Sequence, residues 1–221
     1  MASPLLGTSP VRVKPLLRGW SHLVAFFAAI VAGGILVAQT GSSKSRAACL
    51  TYVGALVVLF GVSSLYHRPM WAPRIRSWLG RLDHSAIFLL IAGTYTPFSH
   101  ALGPGSGALL YRLAWSGAAA GIVVAIFWPQ APKPIVTASY LALGWMSVWF
   151  IPAIERALGP WIATWLVAGG LLYTLGALAY ALRRPDPWPT VFGYHEIFHA
   201  FVIGAAACHY VAVRLVLERT A

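Results

Sequence analysis

The sequence predicts an all-α integral membrane protein: a bundle of seven transmembrane helices with a cytoplasmic N-terminus. Of its 221 residues, 59% are hydrophobic and only 10% charged, where a soluble domain carries about 25% charged residues. That is too little polar surface to cover a globule. Several apolar runs are long enough to cross the hydrocarbon layer, which takes about 20 residues. The basic residues fall between those runs, so the net charge of +11 fits topology and anionic headgroups, with no nucleic-acid partner implied. Alternating hydrophobicity of the barrel kind is absent.

Residues 1–19 read as a short basic tail carrying Arg12, Lys14 and Arg18, and residues 20–217 as the membrane domain. The first helix, Trp20 to Ala38, exceeds the ~7–15-residue core of a signal peptide. The second runs from Ala47 to Tyr66 and ends on His67. A basic loop with Arg68, Arg74, Arg76 and Arg81 follows, and its Trp71 and Trp78 suit the membrane interface. The third helix, His84 to Ala101, begins just after Asp83, and Pro97 should kink or end it. The fourth spans Ala108 to Trp128, with Arg112 near enough to its end to snorkel. The Pro-rich turn 129–134 separates it from the fifth, Ile135 to Ile154. The sixth is Trp161 to Leu182, and the seventh runs from about Val191 to Leu217. Ten of the sixteen Lys and Arg residues then fall on the N-terminal side, which places that side in the cytoplasm.

The few polar residues in these helices are not scattered. Ser63 and His67 end the second helix, Asp83 opens the third, and His195, Glu196 and His199 open the seventh. An even-numbered helix ends on the face where odd-numbered helices begin, so all of them share one membrane face. His195 and His199 stand one helical turn apart on one side of their helix. With His67 they make a three-nitrogen site. Imidazole suits zinc, and three protein ligands leave a fourth position open, as in catalytic zinc sites. Such an ion lowers the pKa of bound water to about 7 and polarises carbonyls.

Other readings compete. His195-Glu196-Ile197-Phe198-His199 also matches the HExxH pattern of zinc proteases, in which the glutamate is the base. Glu196 faces about 100° away from His195 and equally suits a helix N-terminus. Asp83 suits an N-cap, and Ser63 a bond to its own helix backbone. His209 shares the His195 face but lies about 21 Å further along. His22, His84 and His100 have no evident partner. Cys49 and Cys208 form no CxxC pair and read as packing residues.

Ser63-x-x-x-His67, Leu82-Asp83-His84-Ser85 and His195-Glu196-Ile197-Phe198-His199, in this order and at these helix ends, resemble the three signature blocks of the progestin and adipoQ receptor family. The stretch from Leu82 to Phe98, LDHSAIFLLIAGTYTPF, and the short basic N-terminus resemble its bacterial branch, hemolysin III, most. The large N-terminal extension of the animal receptors has no counterpart, which points away from a receptor role. The resemblance implies a seven-helix bundle with its N-terminus inside and zinc on His67, His195 and His199. Asp83 would contact the zinc-bound water, and Ser63 would sit beside the metal. The wider superfamily includes alkaline ceramidases, so the expected activity is zinc-dependent hydrolysis of a lipid amide in the bacterial inner membrane. The rivals are a zinc-clamped receptor or lipid sensor, a zinc protease, and the pore former that the hemolysin label names.

Overall fold

The computed structural model describes residues 14–220; Arg12 and most of the expected basic tail lie outside them. The described residues are helical throughout, apart from connections and one isolated bridge between Trp188 and Phe192. The helices are α1 (Trp20–Ala38), α2 (Ser43–His67), α3 (Pro73–Leu102), α4 (Ala108–Phe127), α5 (Lys133–Trp145), α6 (Ile151–Leu158), α7 (Pro160–Leu182) and α8 (Tyr194–Arg219). Six helical stretches are long and apolar enough to cross a membrane, with Pro73–Phe127 and Pro134–Leu158 each counting as one.

The 55-residue stretch Pro73–Phe127 doubles back on itself. Trp115 Nε1 donates to Thr96 Oγ1 (3.1 Å), and Arg81 Nη1 donates to the Ile126 carbonyl (2.9 Å). Phe88 lies against Gly121. Later residues of α4 thus meet earlier residues of α3, so the two helices pack antiparallel. A five-residue π-turn, Gly103–Gly107, makes the reversal. Gly103 has φ 74°, and a Cβ on Gly107 would lie 2.1 Å from the Ser99 carbonyl oxygen. Only glycine meets both demands.

Three expectations need correction. α3 starts at Pro73, inside the expected loop, with the proline in its first turn, where its missing N–H is no loss. Asp83 therefore sits well inside the helix, and Ala72 is the N-cap, which rules out the capping reading of Asp83. At about 1.5 Å per residue, α3 is also longer than the hydrocarbon is thick, so its arginine-bearing start reaches into the interface. Second, Pro97 does not end α3. Thr96 and Ser99 hydroxyls donate to the Ala92 and Tyr95 carbonyls around it, as hydroxyls do where a proline disturbs a membrane helix. Third, the fifth expected helix is jointed: a 3-10 turn, Met146–Phe150, separates α5 from α6. Tyr95 Oη and Ser147 Oγ both donate to the Gly144 carbonyl at this joint, an intrusion of side chains into the helical ladder of the kind that bends helices.

Close helix contacts rest on small residues, as membrane packing favours. Gly33 faces Val53, Gly61 faces Phe26, and Gly93 faces Ala55. Through these contacts α2 is held between α1 and α3. The π-turn is the most exacting of them, because the neighbour is backbone and cannot yield. Gly107→Val is expected to destabilise the protein by about 1–3 kcal/mol through overpacking, read as a lower thermal midpoint in detergent, whereas Gly105→Ala, in open space, leaves it unchanged.

Candidate metal centre

The end of α2 meets the beginning of α8. His67 is the last residue of α2, and His195 and His199 lie in the first two turns of α8. His67 Nε2 and His195 Nε2 are 3.2 Å apart. One ring nitrogen from each of the three histidines falls within 4.8 Å of the other two. His67 and His199 are buried and His195 is partly so. Asp83 reaches in from α3, with Oδ2 3.7 Å from His67 Nε2. Ser63, buried one turn before His67, lines the same cavity as Asp83, His195 and His199. All five expected site residues are therefore brought to one place.

The donor set suits zinc. Bonds of 2.0–2.1 Å in a tetrahedral arrangement separate two ligand nitrogens by roughly 3.3–3.4 Å, close to the His67–His195 spacing. His199 Nδ1 is buried with no hydrogen-bond partner, as befits a ring held for something other than a protein hydrogen bond. The cavity beside the cluster has a volume of about 640 Å³, within the range of small-molecule sites. It is polar at the histidine end and apolar along Ile87, Ile91 and Val202. His209 lines the deep end, bonded to the Leu166 carbonyl (3.1 Å) and outside the cluster. His100 lies near Ser45 Oγ (3.3 Å), away from the cluster.

Glu196 is held in place by two partners. One carboxylate oxygen pairs with Arg18 Nε, and the other accepts from the Gly193 N–H at 2.8 Å. The residue is 2% exposed. Both oxygens are engaged in starting α8 and tying it to the segment before α1, so the protease reading of Glu196 loses its base. That segment roofs the cluster. Leu16 and Leu17 N–H groups donate to the Thr190 and Val191 carbonyls (3.0 and 3.1 Å). Lys14 Nζ donates to the Arg68 carbonyl (2.6 Å), and the Arg68 guanidinium lies over the Trp20 ring. Partial burial and the nearby Arg68, Arg76 and Arg18 guanidiniums hold the Lys14 ammonium below its ordinary value. Gly19, at φ 80°, brings the chain so close that a Cβ would lie 2.8 Å from His67 Cβ.

Two residues of this region escaped the sequence reading. Arg18 appeared only as a tail charge, and His22 had no evident partner. In the structure His22 is buried and stacked on His199. The parity of the expected crossings held the signal: the first, third and seventh begin at the same face, and His22 lies in the first turn of the first.

Residues 11–210 match the family described as Haemolysin-III related. The chain belongs to that family. It is 32% identical to a hemolysin-3 homolog of Bacillus subtilis, over 81% of each chain. It is also 32% identical to hemolysin-3 of Bacillus cereus, over 85% of this chain and 83% of that one. An adiponectin receptor protein of Drosophila melanogaster is 31% identical over 72% of this chain and 40% of its own length. These relatives place the chain in the progestin and adipoQ receptor family, in its hemolysin III branch. It is a multi-pass membrane protein with a histidine cluster able to hold a metal.

The clamp on Glu196 yields a prediction. Glu196→Ala should lower stability by about 1.5–3 kcal/mol, the usual worth of a hydrogen bond to a charged group, while leaving metal content at the wild-type level. Thermal unfolding in detergent and metal analysis of the same sample read both quantities.

Proposed function

We propose that this haemolysin-III related protein is a zinc-dependent hydrolase of the bacterial cytoplasmic membrane, cleaving a lipid amide of the ceramide type. The observation that carries the reading is the convergence of three imidazoles from two helices beside a carboxylate, at the polar end of an apolar cavity. His67, His195 and His199 would hold the ion. Bound there, zinc would supply Lewis acidity toward a carbonyl and bring the pKa of water to about 7.

The chain's own residues have separate tasks. Asp83 is the proton acceptor: its carboxylate lines the cavity and stands beside His67. It takes a proton from the attacking water and returns it to the leaving nitrogen, so that water is added across the amide bond to give a carboxylic acid and an amine. Ser63 lies beside it as a hydrogen-bonding hydroxyl. The apolar walls formed by Ile87, Ile91 and Val202 exclude bulk water and take a hydrocarbon chain, which makes a membrane lipid the suitable substrate class. We further propose that α3 and α4 each cross the membrane once, giving seven crossings. In that topology residues 1–19 lie in the cytoplasm and the seven-helix domain spans residues 20–217.

A second reading is supported by the way the cluster bridges α2 and α8, and by the receptor name of the Drosophila relative. Here zinc fastens the two helices in a non-enzymatic lipid sensor. Asp83→Ala separates the two. A hydrolase variant keeps about one zinc per chain and loses about 10²–10⁴-fold of its turnover of a ceramide-type amide; a clamp keeps both metal and signalling. Wild-type protein that contains no zinc and is indifferent to His195→Ala would end both readings. Zinc-independent release of vesicle contents would favour the pore former that the hemolysin-3 names suggest. The topology has its own check: a single cysteine introduced at Ser9, in a background lacking Cys49 and Cys208, should react with a membrane-impermeant thiol reagent only after the membrane is opened.

A further inference from the structure

We propose that His22 is a positioning residue of the metal centre, its ring being the flat support that sets the plane of His199. The inference rests on the zinc reading above. Ligand histidines are ordinarily oriented by a hydrogen bond from their second ring nitrogen to a carboxylate, carbonyl or water. Among the described residues no protein hydrogen bond holds the His199 ring in that way, and its Nδ1 is buried and unpartnered. Its near neighbours in the cluster, His67 and His195, meet it at ring tilts of 62° and 60°. Among the described residues only His22 lies flat against it, with centroids 3.8 Å apart and planes within 10°. The edge-to-face contact of His22 with Phe60 of α2, 5.1 Å away at 72°, braces the support in turn. All three rings are buried, so the plane of His199 is fixed by a column of side chains from α1, α2 and α8.

The same geometry excludes His22 as a fourth ligand. Imidazole lone pairs lie in the ring plane. With its plane nearly parallel to that of His199, His22 directs its in-plane lone pair alongside the other ring and not toward a shared point. His22 is also outside the group whose nitrogens gather within 4.8 Å. Its nitrogens are buried and make no regular hydrogen bond, and the polar interaction they have is with the His199 backbone. Burying them without a regular hydrogen bond is unfavourable, so simple space filling would be better met by an aliphatic side chain. A compact planar ring fits the narrow gap: one turn earlier, α1 already touches α2 at Gly19 and His67. The ring face is what the position supplies.

The test uses the full chain in detergent, with zinc and cobalt(II) as the probes. Affinity is read by chelator competition, ligand geometry by the cobalt d–d spectrum, and folding by the thermal midpoint of the metal-free protein. His22→Leu and His22→Ala should weaken metal binding about tenfold, the lower end for loss of a ligand's orienting partner, and alter the cobalt spectrum. His22→Phe keeps a flat face and should restore most of the affinity and the wild-type spectrum. A merely structural role would lower the metal-free midpoint and leave the spectrum unmoved. The proposal is overturned if His22→Leu binds cobalt like the wild type, or if a folded His22→Phe is as weak as His22→Leu. If His22→Phe does not fold, the Leu and Ala variants decide alone. Failure of the wild type to bind either metal would remove the zinc reading as well, whereas a normal wild type with a normal Leu variant removes only His22.

Discussion

The approach of His67 to His195 is the contact on which the rest of the bundle depends. Two imidazole nitrogens 3.2 Å apart cannot both present lone pairs to each other. Either one ring donates its N–H to the other, or a cation lies between them. Keeping that arrangement requires α2 to stop at His67 and α8 to start just before His195, at one depth. The turn after His67 is closed by Arg68 N–H on the Ser64 carbonyl. The start of α8 is closed by Glu196 on Gly193 N–H. Gly19 lets α1 pass directly beside His67. Three local contacts, each readable as ordinary capping or close packing, thus gather around a single inter-helix approach.

The same devices decide which way the site opens. Residues 15–19 and the connection before α8 join through backbone hydrogen bonds and the Arg18–Glu196 pair, closing the cluster on the side of the helix ends. The 640 Å³ cavity runs from the cluster into the bundle, past apolar side chains to His209, and is also lined by residues 128–132 of the α4–α5 turn. The Asp83 carboxylate and the apolar chamber behind it are the features on which the proposal of a lipid substrate rests. Glu196, the acid that the HExxH pattern would put to work, is spent on holding the roof.

Helix existence and the shared face of the polar residues were legible in the sequence because both follow from apolar run length and the parity of crossings. Parity of the expected crossings put Ser63, His67, Asp83, His195 and His199 at one end of the bundle, and the packing of α2, α3 and α8 brings them together there. What the pattern could not supply was set by interactions between elements. The start of α3 at Pro73 was hidden because arginines read as loop, although a membrane helix longer than the hydrocarbon carries its charges into the interface. The joint after α5 depends on Tyr95, a side chain from another helix, reaching the Gly144 carbonyl. The turn at Gly103–Gly107 joins α3 to α4 without a break in helical bonding, so a reversal visible in the sequence as Gly and Pro is continuous helix by hydrogen bonding. His22 stayed unread because a lone histidine in an apolar helix carries no sign of what it stacks upon.

Ligand count is the physical ground for preferring chemistry over a clamp. A structural zinc is enclosed by four protein ligands, whereas a catalytic one keeps a position open. Among the described residues, no fourth histidine, cysteine or acid joins the group of His67, His195 and His199. The nearest additional imidazole, His22, turns its face and not its nitrogens toward His199. Asp83 comes to 3.7 Å of His67 Nε2, close enough for an ion-pair contact but outside the group of ligand nitrogens. A fastening of α2 to α8 would gain from a fourth protein donor, and the bundle had one close by in α1. Instead α1 offers a flat ring, and α3 a carboxylate that stays outside the ligand group and lines the cavity with His195 and His199. This is the arrangement expected where a small molecule has to enter between the ligands and the acid.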